Sequence, residues 1–294
     1  MNVEEHVDLS RHTTLGTGGP ARAFARPESE AEVEELLRWA AERGLAVATV
    51  GLGSNLLVAD EGVDALVLKL AGALASANVE NGVVHAGGGA ANAVVLHRAR
   101  AAGLGGFEFA CAIPGTIGGG VWMNGGAYGG EFSQVLERVR VATATGSGWY
   151  TAVELGLAYR HSELRHGQVV VAAELRLEPR DPNAIKAAVR QLNAQRKAAQ
   201  PTNRRTFGSV FKNPEHELSA GRMLEACGLR GRRRGGAQIS PKHANFIENA
   251  GGARTADAIE LMAEARQRAF ETFGVELRHE VELLGAIAVP PLAG

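Results

Sequence analysis

Apolar residues recur at helical spacing in several long stretches of the chain. Val33, Leu36, Leu37 and Ala40 follow Ser29-Glu30-Ala31-Glu32, which reads as a capping box, and Gly44 supplies the stop. Asn92 to Ala102 carries Val94, Val95 and Ala99 on one face, with Gly103 as its cap. Ala184 to Gln195 turns Ile185, Ala188, Val189 and Leu192 inward, and Pro201 ends it. Thr255 reads as the N-cap of a long helix with Ile259, Met262, Ala265, Ala269 and Phe273 on one side and Gly274 at its end. A short helix is expected over Gly221 to Cys227. Between these lie short apolar or alternating runs that predict strands: 46–50, 65–70, 83–86, 135–143, 148–152, 169–177 and 275–285. Helices mixed with many short strands predict an α+β fold and not a doubly wound sheet. Pro179-Arg180-Asp181-Pro182 marks a boundary between domains.

Glycine interrupts this pattern in three places. Thr13 to Pro20 is a turn cluster, and its threonines and backbone amides also suit a polar ligand. The strand 46–50 runs into Gly51-Leu52-Gly53-Ser54-Asn55, where unobstructed N–H groups and two short polar side chains suit a pyrophosphate. The third glycine of a Rossmann fingerprint is replaced by Leu56, and no Gly-Lys-Ser/Thr follows, so neither that motif nor a Walker A loop is present. The third place is Ala112 to Glu131, in which eight of the sixteen residues from Gly115 to Gly130 are glycine. Ile113, Ile117, Val121 and Met123 stand where a flexible linker would have serine and charge. Two readings fit: a backbone brought close to something flat or anionic, or tight turns packed under a core.

Composition narrows the classes. The 294 residues allow two domains, and the net charge of −1 gives no global attraction to nucleic acid or membrane. No apolar run reaches the roughly 18 residues of a membrane span. The polar N-terminus is not a signal peptide. Cys111 and Cys227 follow no metal or redox spacing and are expected to be reduced and half-buried. Arginine far outnumbers lysine, which fits heat adaptation or a GC-rich genome equally. The run Arg230-Gly231-Arg232-Arg233-Arg234 raises RNA binding, but without an RNA-binding fold signal a solvated turn or a phosphate contact fits better.

Seven segments together resemble one family, the UDP-N-acetylenolpyruvoylglucosamine reductases (MurB). They are TTLGTGGPA (13–21), VGLGSNLLVAD (50–60), AIPGTIGGGVWMNGGAYGGE (112–131), YRHS (159–162), GSVFKNP (208–214), ISPKHANFIENAGGA (239–253) and EVELLG (280–285). They occur in the family's order and span nearly the whole chain. Arg160 and Ser209 are only 49 positions apart, so the chain resembles the shorter form that lacks a tyrosine-bearing loop.

The resemblance implies a two-subdomain FAD-binding module of the p-cresol methylhydroxylase/vanillyl-alcohol oxidase type, with a smaller C-terminal α+β substrate domain. The expected ranges are 1–64 and 65–180 for the FAD subdomains and 181–294 for the substrate domain. It implies FAD as cofactor, no metal, and NADPH and UDP-N-acetylglucosamine-enolpyruvate as reactants. A monomer in the bacterial cytoplasm is expected, with no nucleic-acid or membrane partner. Hydride would come from the flavin N5. Arg160 is carried over as the cation for the substrate carboxylate, Ser209 as proton donor and Glu280 as the carboxyl beside the developing enolate. Glu282 is the rival to Glu280, since strand alternation would put both on one face.

For FAD the resemblance points to Gly51, Gly53, Ser54, Asn55 and Leu56 around the pyrophosphate. Pro114, Gly115, Thr116, Gly118, Gly119, Asn124, Gly126, Ala127 and Tyr128 would line the rest. Arg196, Lys212, Asn213 and His243 are candidates for the UDP-sugar, although Lys212 fits a solvated charge and His243 a satisfied, partly buried histidine equally well. An FAD-dependent alcohol oxidase, which would not need the serine, and a flavin-binding paralogue without turnover are the alternatives.

Overall fold

The computed structural model describes residues 2–293. Among the described residues there are six α-helices: α1 Glu30–Glu42, α2 Asn92–Ala101, α3 Ile117–Trp122, α4 Pro182–Ala199, α5 Ala220–Ala226 and α6 Thr255–Phe273. Most strand pairs are antiparallel, as α+β predicts. The two parallel pairs that can be placed by register are Ala46–Thr49 with Val63–Leu68, and Leu56–Val58 with Glu282–Leu284.

The chain forms two units that interleave in sequence. The first holds Met1–Glu5, Ala23–Leu52 and Asp64–Arg196; the second holds His6–Arg22, Gly53–Val63 and Lys197–Gly294. The break therefore falls between Arg196 and Lys197, inside α4, and not at the proline pair near 180. Two N-terminal segments belong with the C-terminal unit, which a contiguous division at 64 and 180 does not anticipate.

In the first unit a five-stranded antiparallel sheet has the order Gly146–Tyr150, Leu136–Thr143, Val169–Arg176, Val83–Gly87, Ala77–Glu80. One side of its core gathers Val95, Leu96, Ala99, Phe107, Phe109, Ile117, Val121 and Phe132. Phe107, Phe109 and Phe132 meet edge to face, with ring centroids 5.4–6.1 Å apart. A second cluster joins α1 through Val33, Leu36, Leu37 and Ala40 to Leu66, Leu68 and Val171. Ser29 caps α1 by accepting from the Glu32 amide at 3.3 Å. The Glu32 carboxylate reaches past Ser29 to the Glu28 amide instead of closing the expected box.

In the second unit an antiparallel sheet runs Thr206–Ser209, Phe246–Asn249, Ala237–Ile239, Arg233–Arg234. Its core combines Phe207, Phe211, Met223, Leu224, Ile247, Leu261 and Met262 with Leu15 and Leu57 from the N-terminal segments.

Four local expectations are corrected. Val94 is exposed, and α2 buries Val95, Leu96 and Ala99, because its inward stripe begins one residue later. Thr255 is the first residue of α6 and not its cap; the Asp60 carboxylate accepts from the Thr255 and Ala256 amides at 2.9 Å, replacing a local cap with a tertiary one. The run 275–285 forms strand only over Glu282–Leu284. The glycine-rich stretch, for which only close backbone approach or tight turns were expected, contains α3, with Thr116 as N-cap. Packing overrides propensity there, since Ile117 and Val121 are fully buried.

Candidate functional site

The glycine-rich stretch in the first unit spends its backbone on the protein. Ile117 and Gly118 donate to Ala90 and Gly88 at 2.9 and 2.7 Å, and Gly125 donates to Gly120 at 2.7 Å. A Cβ on Gly120 would sit 2.2 Å from the Phe132 ring, one on Gly130 2.5 Å from Phe109, and one on Gly118 3.0 Å from the Gly88 carbonyl. These glycines are demanded by packing. Gly119 differs: it is exposed, and a Cβ there would meet nothing nearer than Thr116 Oγ1 at 3.6 Å. Pro114 and Tyr128 are exposed, Gly115, Gly126 and Ala127 half-buried, and Thr116 buried.

The Tyr-Arg-His-Ser segment is a tight turn. Ala158 and His161 exchange backbone hydrogen bonds of 3.1 and 3.0 Å, with Tyr159 and Arg160 between them. Arg160 is left-handed, with φ +53°. Its Nη2 donates to the Gly126 carbonyl at 2.6 Å, and its guanidinium lies 5.1 Å from the Tyr159 ring centroid. Asn124, expected at the cofactor, is fully buried: its Nδ2 donates to the Ala158 carbonyl at 3.0 Å and its Oδ1 accepts from the Ser133 amide at 2.9 Å. Its side chain is thus committed to the protein. Arg196, on α4, is half-buried with Cys111 and Tyr128 for neighbours; burial pulls its pKa below the usual arginine value, and the same burial pushes the Cys111 thiol up.

The loop Gly51–Asn55 is different in kind. The missing Cβ of Gly51 faces Thr116, 2.6 Å from its Oγ1, and that of Gly53 would fall 2.0 Å from the His12 carbonyl, where φ is +65°. Here too the glycines are packed against the protein. Their amides are used differently: among the described residues, those of Gly51, Leu52, Gly53 and Asn55 make no hydrogen bond. Gly53 is buried, so an unmet N–H there is costly. Successive amides without acceptors are what a pyrophosphate needs, and this loop fits FAD on that ground.

In the second unit, Ser209 and Glu280 lie on two backbone segments that pair. The Glu280 amide donates to the Val210 carbonyl at 2.8 Å, and the Lys212 amide to Arg278 at 2.9 Å, with Phe211 and His279 bridged between them. Ser209 ends its strand, half-buried, after Gly208 at φ +84°. Asn55 reaches the same place: its Nδ2 donates to the Glu280 carbonyl at 3.1 Å, and its own carbonyl accepts from Glu282 at 3.1 Å. Leu56 begins the strand that pairs with Glu282. Glu280 precedes that strand, so alternation does not place it on one face with Glu282.

The remaining substrate candidates are separated by what they already bond. The exposed Asn213 accepts through Oδ1 from the Ala220 amide at 3.2 Å at the start of α5, whose cap is Ser219. Lys212 is half-buried. His243 accepts from the Asn245 amide through Nδ1 at 3.2 Å and stacks edge-on against Phe246. Burial first, and then the Arg230 charge, hold its pKa below the ordinary value, so it is neutral and carries its proton on Nε2. Three arginines of the basic run are spent on acids: Arg230 pairs with Glu225 at 3.0 Å, and Arg232 and Arg234 with Glu264 at 2.7 and 2.8 Å, while Arg233 donates to Gln238 at 3.2 Å. Sequence reading missed Asp60 and Ser162, whose roles are long-range contacts with no local signature. No helix among the described residues is long and apolar enough to cross a membrane.

The class follows from these features and one comparison. Residues 21–149 match the profile of the FAD binding domain, so the chain is an FAD-dependent oxidoreductase built on that domain. Residues 200–284 match the profile of the UDP-N-acetylenolpyruvoylglucosamine reductase C-terminal domain. UDP-N-acetylenolpyruvoylglucosamine reductase 2 of Symbiobacterium thermophilum is 44% identical over 279 residues, covering 94% of this chain and 90% of that protein. The Anaeromyxobacter dehalogenans reductase is 43% identical over 286 residues, covering 97% and 87%. The crystal structure of the Thermus caldophilus enzyme superposes with a TM-score of 0.85 at 37% identity, over 97% of this chain and 99% of that one. The chain belongs to the UDP-N-acetylenolpyruvoylglucosamine reductase (MurB) family.

Proposed function

We propose that this protein reduces the enolpyruvyl double bond of UDP-N-acetylglucosamine-enolpyruvate, with NADPH as electron source, giving UDP-N-acetylmuramate for peptidoglycan synthesis. The observation that carries the reading is the pairing of the Ser209 and Glu280 segments in the second unit, in a chain of this family. When bound, FAD supplies two-electron hydride chemistry between NADPH and the substrate carbon. The amides of Gly51, Leu52, Gly53 and Asn55 would hold its pyrophosphate, and the exposed Gly119 would help line the rest.

The protein's part is electrostatic and acid–base. Addition of hydride to the methylene carbon leaves negative charge on its neighbour, delocalised into the carboxylate. Arg160 meets that carboxylate with a fixed cation held in a strained turn, which costs no reorganisation as charge develops. Glu280 offers a carboxyl to the enolate oxygen, its backbone gripped from two sides by Val210 and Asn55. Ser209 gives its hydroxyl proton to the carbanionic carbon: the O–H bond breaks, the C–H bond forms, and the serine is reprotonated from water. Neutral His243, with Nε2–H as donor, and the Lys212 and Arg196 cations serve the nucleotide-sugar, as does Asn213 through its amide nitrogen. This reading includes a monomer that works in the bacterial cytoplasm.

The test separates the half-reactions by stopped-flow absorbance of the flavin. Ser209→Ala leaves reduction by NADPH within about twofold and slows reoxidation by substrate by about 10²–10⁴-fold, the usual worth of a positioned acid. Equal loss in both half-reactions defeats the proton-donor role.

A further inference from the structure

We infer that Asn124 is a positioning residue for Arg160, acting as a latch between the glycine-rich loop and the arginine's turn, and not a ligand of the cofactor. The inference rests on the proposed role of Arg160. Three side chains fasten the turn to alternate residues of the loop. Ser162 Oγ donates to the Trp122 carbonyl at 2.6 Å, Asn124 Nδ2 donates to Ala158, and Arg160 Nη2 donates to Gly126. The middle link differs from the other two because it holds the backbone at the root of the turn. The Ala158 carbonyl takes two donors, His161 N–H from within the turn and Asn124 from outside it.

The environment of Asn124 suits a fixed latch. It is 0% exposed, and each end of its amide has a partner, so it pays no desolvation penalty only in this geometry. Its φ of +40° lies where asparagine is among the few side chains tolerated. The neighbouring Ser133 amide fixes the orientation of the side chain, with Oδ1 toward Ser133 and Nδ2 toward Ala158. Without Asn124 the turn keeps its own reciprocal bonds and the Ser162 and Arg160 links to the loop, but loses the tie that holds its root, the Ala158 carbonyl. Arg160 then carries the same charge in a less defined place, and a misplacement of about 1 Å costs on the order of 10²-fold in rate.

The experiment is a double-mutant cycle read in the two half-reactions of the flavin-loaded protein. Asn124→Gly keeps the backbone conformation available and removes the latch. Asn124→Asp keeps shape and the acceptor for Ser133 but loses the donor to Ala158, so it serves if the glycine variant folds poorly. Either slows flavin reoxidation by substrate about 10–100-fold. FAD affinity by flavin fluorescence, and reduction by NADPH, stay within about threefold. The Arg160→Ala variant slows reoxidation about 10³-fold, and adding Asn124→Gly to it brings no further loss beyond about threefold. Amide hydrogen exchange at His161 speeds up in the Asn124 variants. A tenfold or greater loss of FAD affinity would make Asn124 a cofactor ligand and overturn the latch. So would multiplicative losses in the double variant. If Arg160→Ala itself leaves substrate reduction intact, the fault lies with the role given to Arg160.

Discussion

Residues 112–131 and 51–55 are both rich in glycine, and both were candidates for the same dinucleotide, yet their backbones are used differently. In the longer stretch the amides of Ile117, Gly118, Gly120 and Gly125 are bonded within the protein, and Gly118, Gly120 and Gly130 lack a Cβ because a carbonyl or a phenylalanine ring occupies its place. In the shorter loop the glycines are also packed, against Thr116 and His12, but the amides of Gly51, Leu52, Gly53 and Asn55 find no partner among the described residues. Glycine content therefore reports close packing in both, and only the accounting of N–H groups tells an anion site from a tight turn.

The largest effects come from testing this difference directly. Gly120→Ala drives a methyl into Phe132, and Gly53→Ala combines a left-handed φ with a clash against the His12 carbonyl. Each should cost about 2–3 kcal/mol in urea unfolding, the scale of overpacking and left-handed strain. They should part in flavin affinity, measured at low temperature where both remain folded. Gly53→Ala displaces unmet amides and should weaken FAD at least about tenfold, or 1.4 kcal/mol. Gly120→Ala should weaken it less than about threefold. Equal losses would erase the distinction between the loops.

Much of the first unit was legible because its signals are local. The Ser29 cap, the stripe Val33-Leu36-Leu37-Ala40 and the short strands announce themselves by spacing. The site was legible as motifs and illegible as geometry. Nothing near Asn124 in sequence says that its side chain reaches Ala158, and nothing near Thr255 says that Asp60 caps its helix. The interleaving of the units was hidden for the same reason. Leu15 and Leu57 join a core made mostly of residues beyond 206, a partnership that periodicity does not encode. α3 was missed because propensity weighs glycine against helix, whereas burial of Ile117 and Val121 decides the matter.

A middle-sized effect separates side chain from backbone within the shorter loop. Asn55→Ala keeps the amide offered to the pyrophosphate and removes only the Nδ2 bond to the Glu280 carbonyl. Flavin affinity should change less than about threefold, and stability should fall by about 1 kcal/mol, the net worth of one hydrogen bond. Reoxidation by substrate should slow about tenfold, because Glu280 loses one of its two backbone tethers. A fall in flavin affinity with substrate reduction intact would move Asn55 from the substrate side of the chemistry to the cofactor side.

The smallest effect is the most discriminating. Gly119 lies inside α3, is exposed, and leaves room for a methyl, since its nearest neighbour would be Thr116 Oγ1 at 3.6 Å. Alanine in a helix is favoured over glycine by roughly 0.5–1 kcal/mol, so Gly119→Ala should stabilise the flavin-free protein by up to that amount. If the open face of Gly119 receives the cofactor, the same methyl should lower flavin affinity, and the flavin-loaded protein should gain less or lose stability. Opposite signs with and without FAD mark a glycine held open for a ligand, whereas Gly120→Ala destabilises both forms. A gain of the same size in both would remove Gly119 from the cofactor site and leave the amides of Gly51, Leu52, Gly53 and Asn55 as the flavin's main backbone contact.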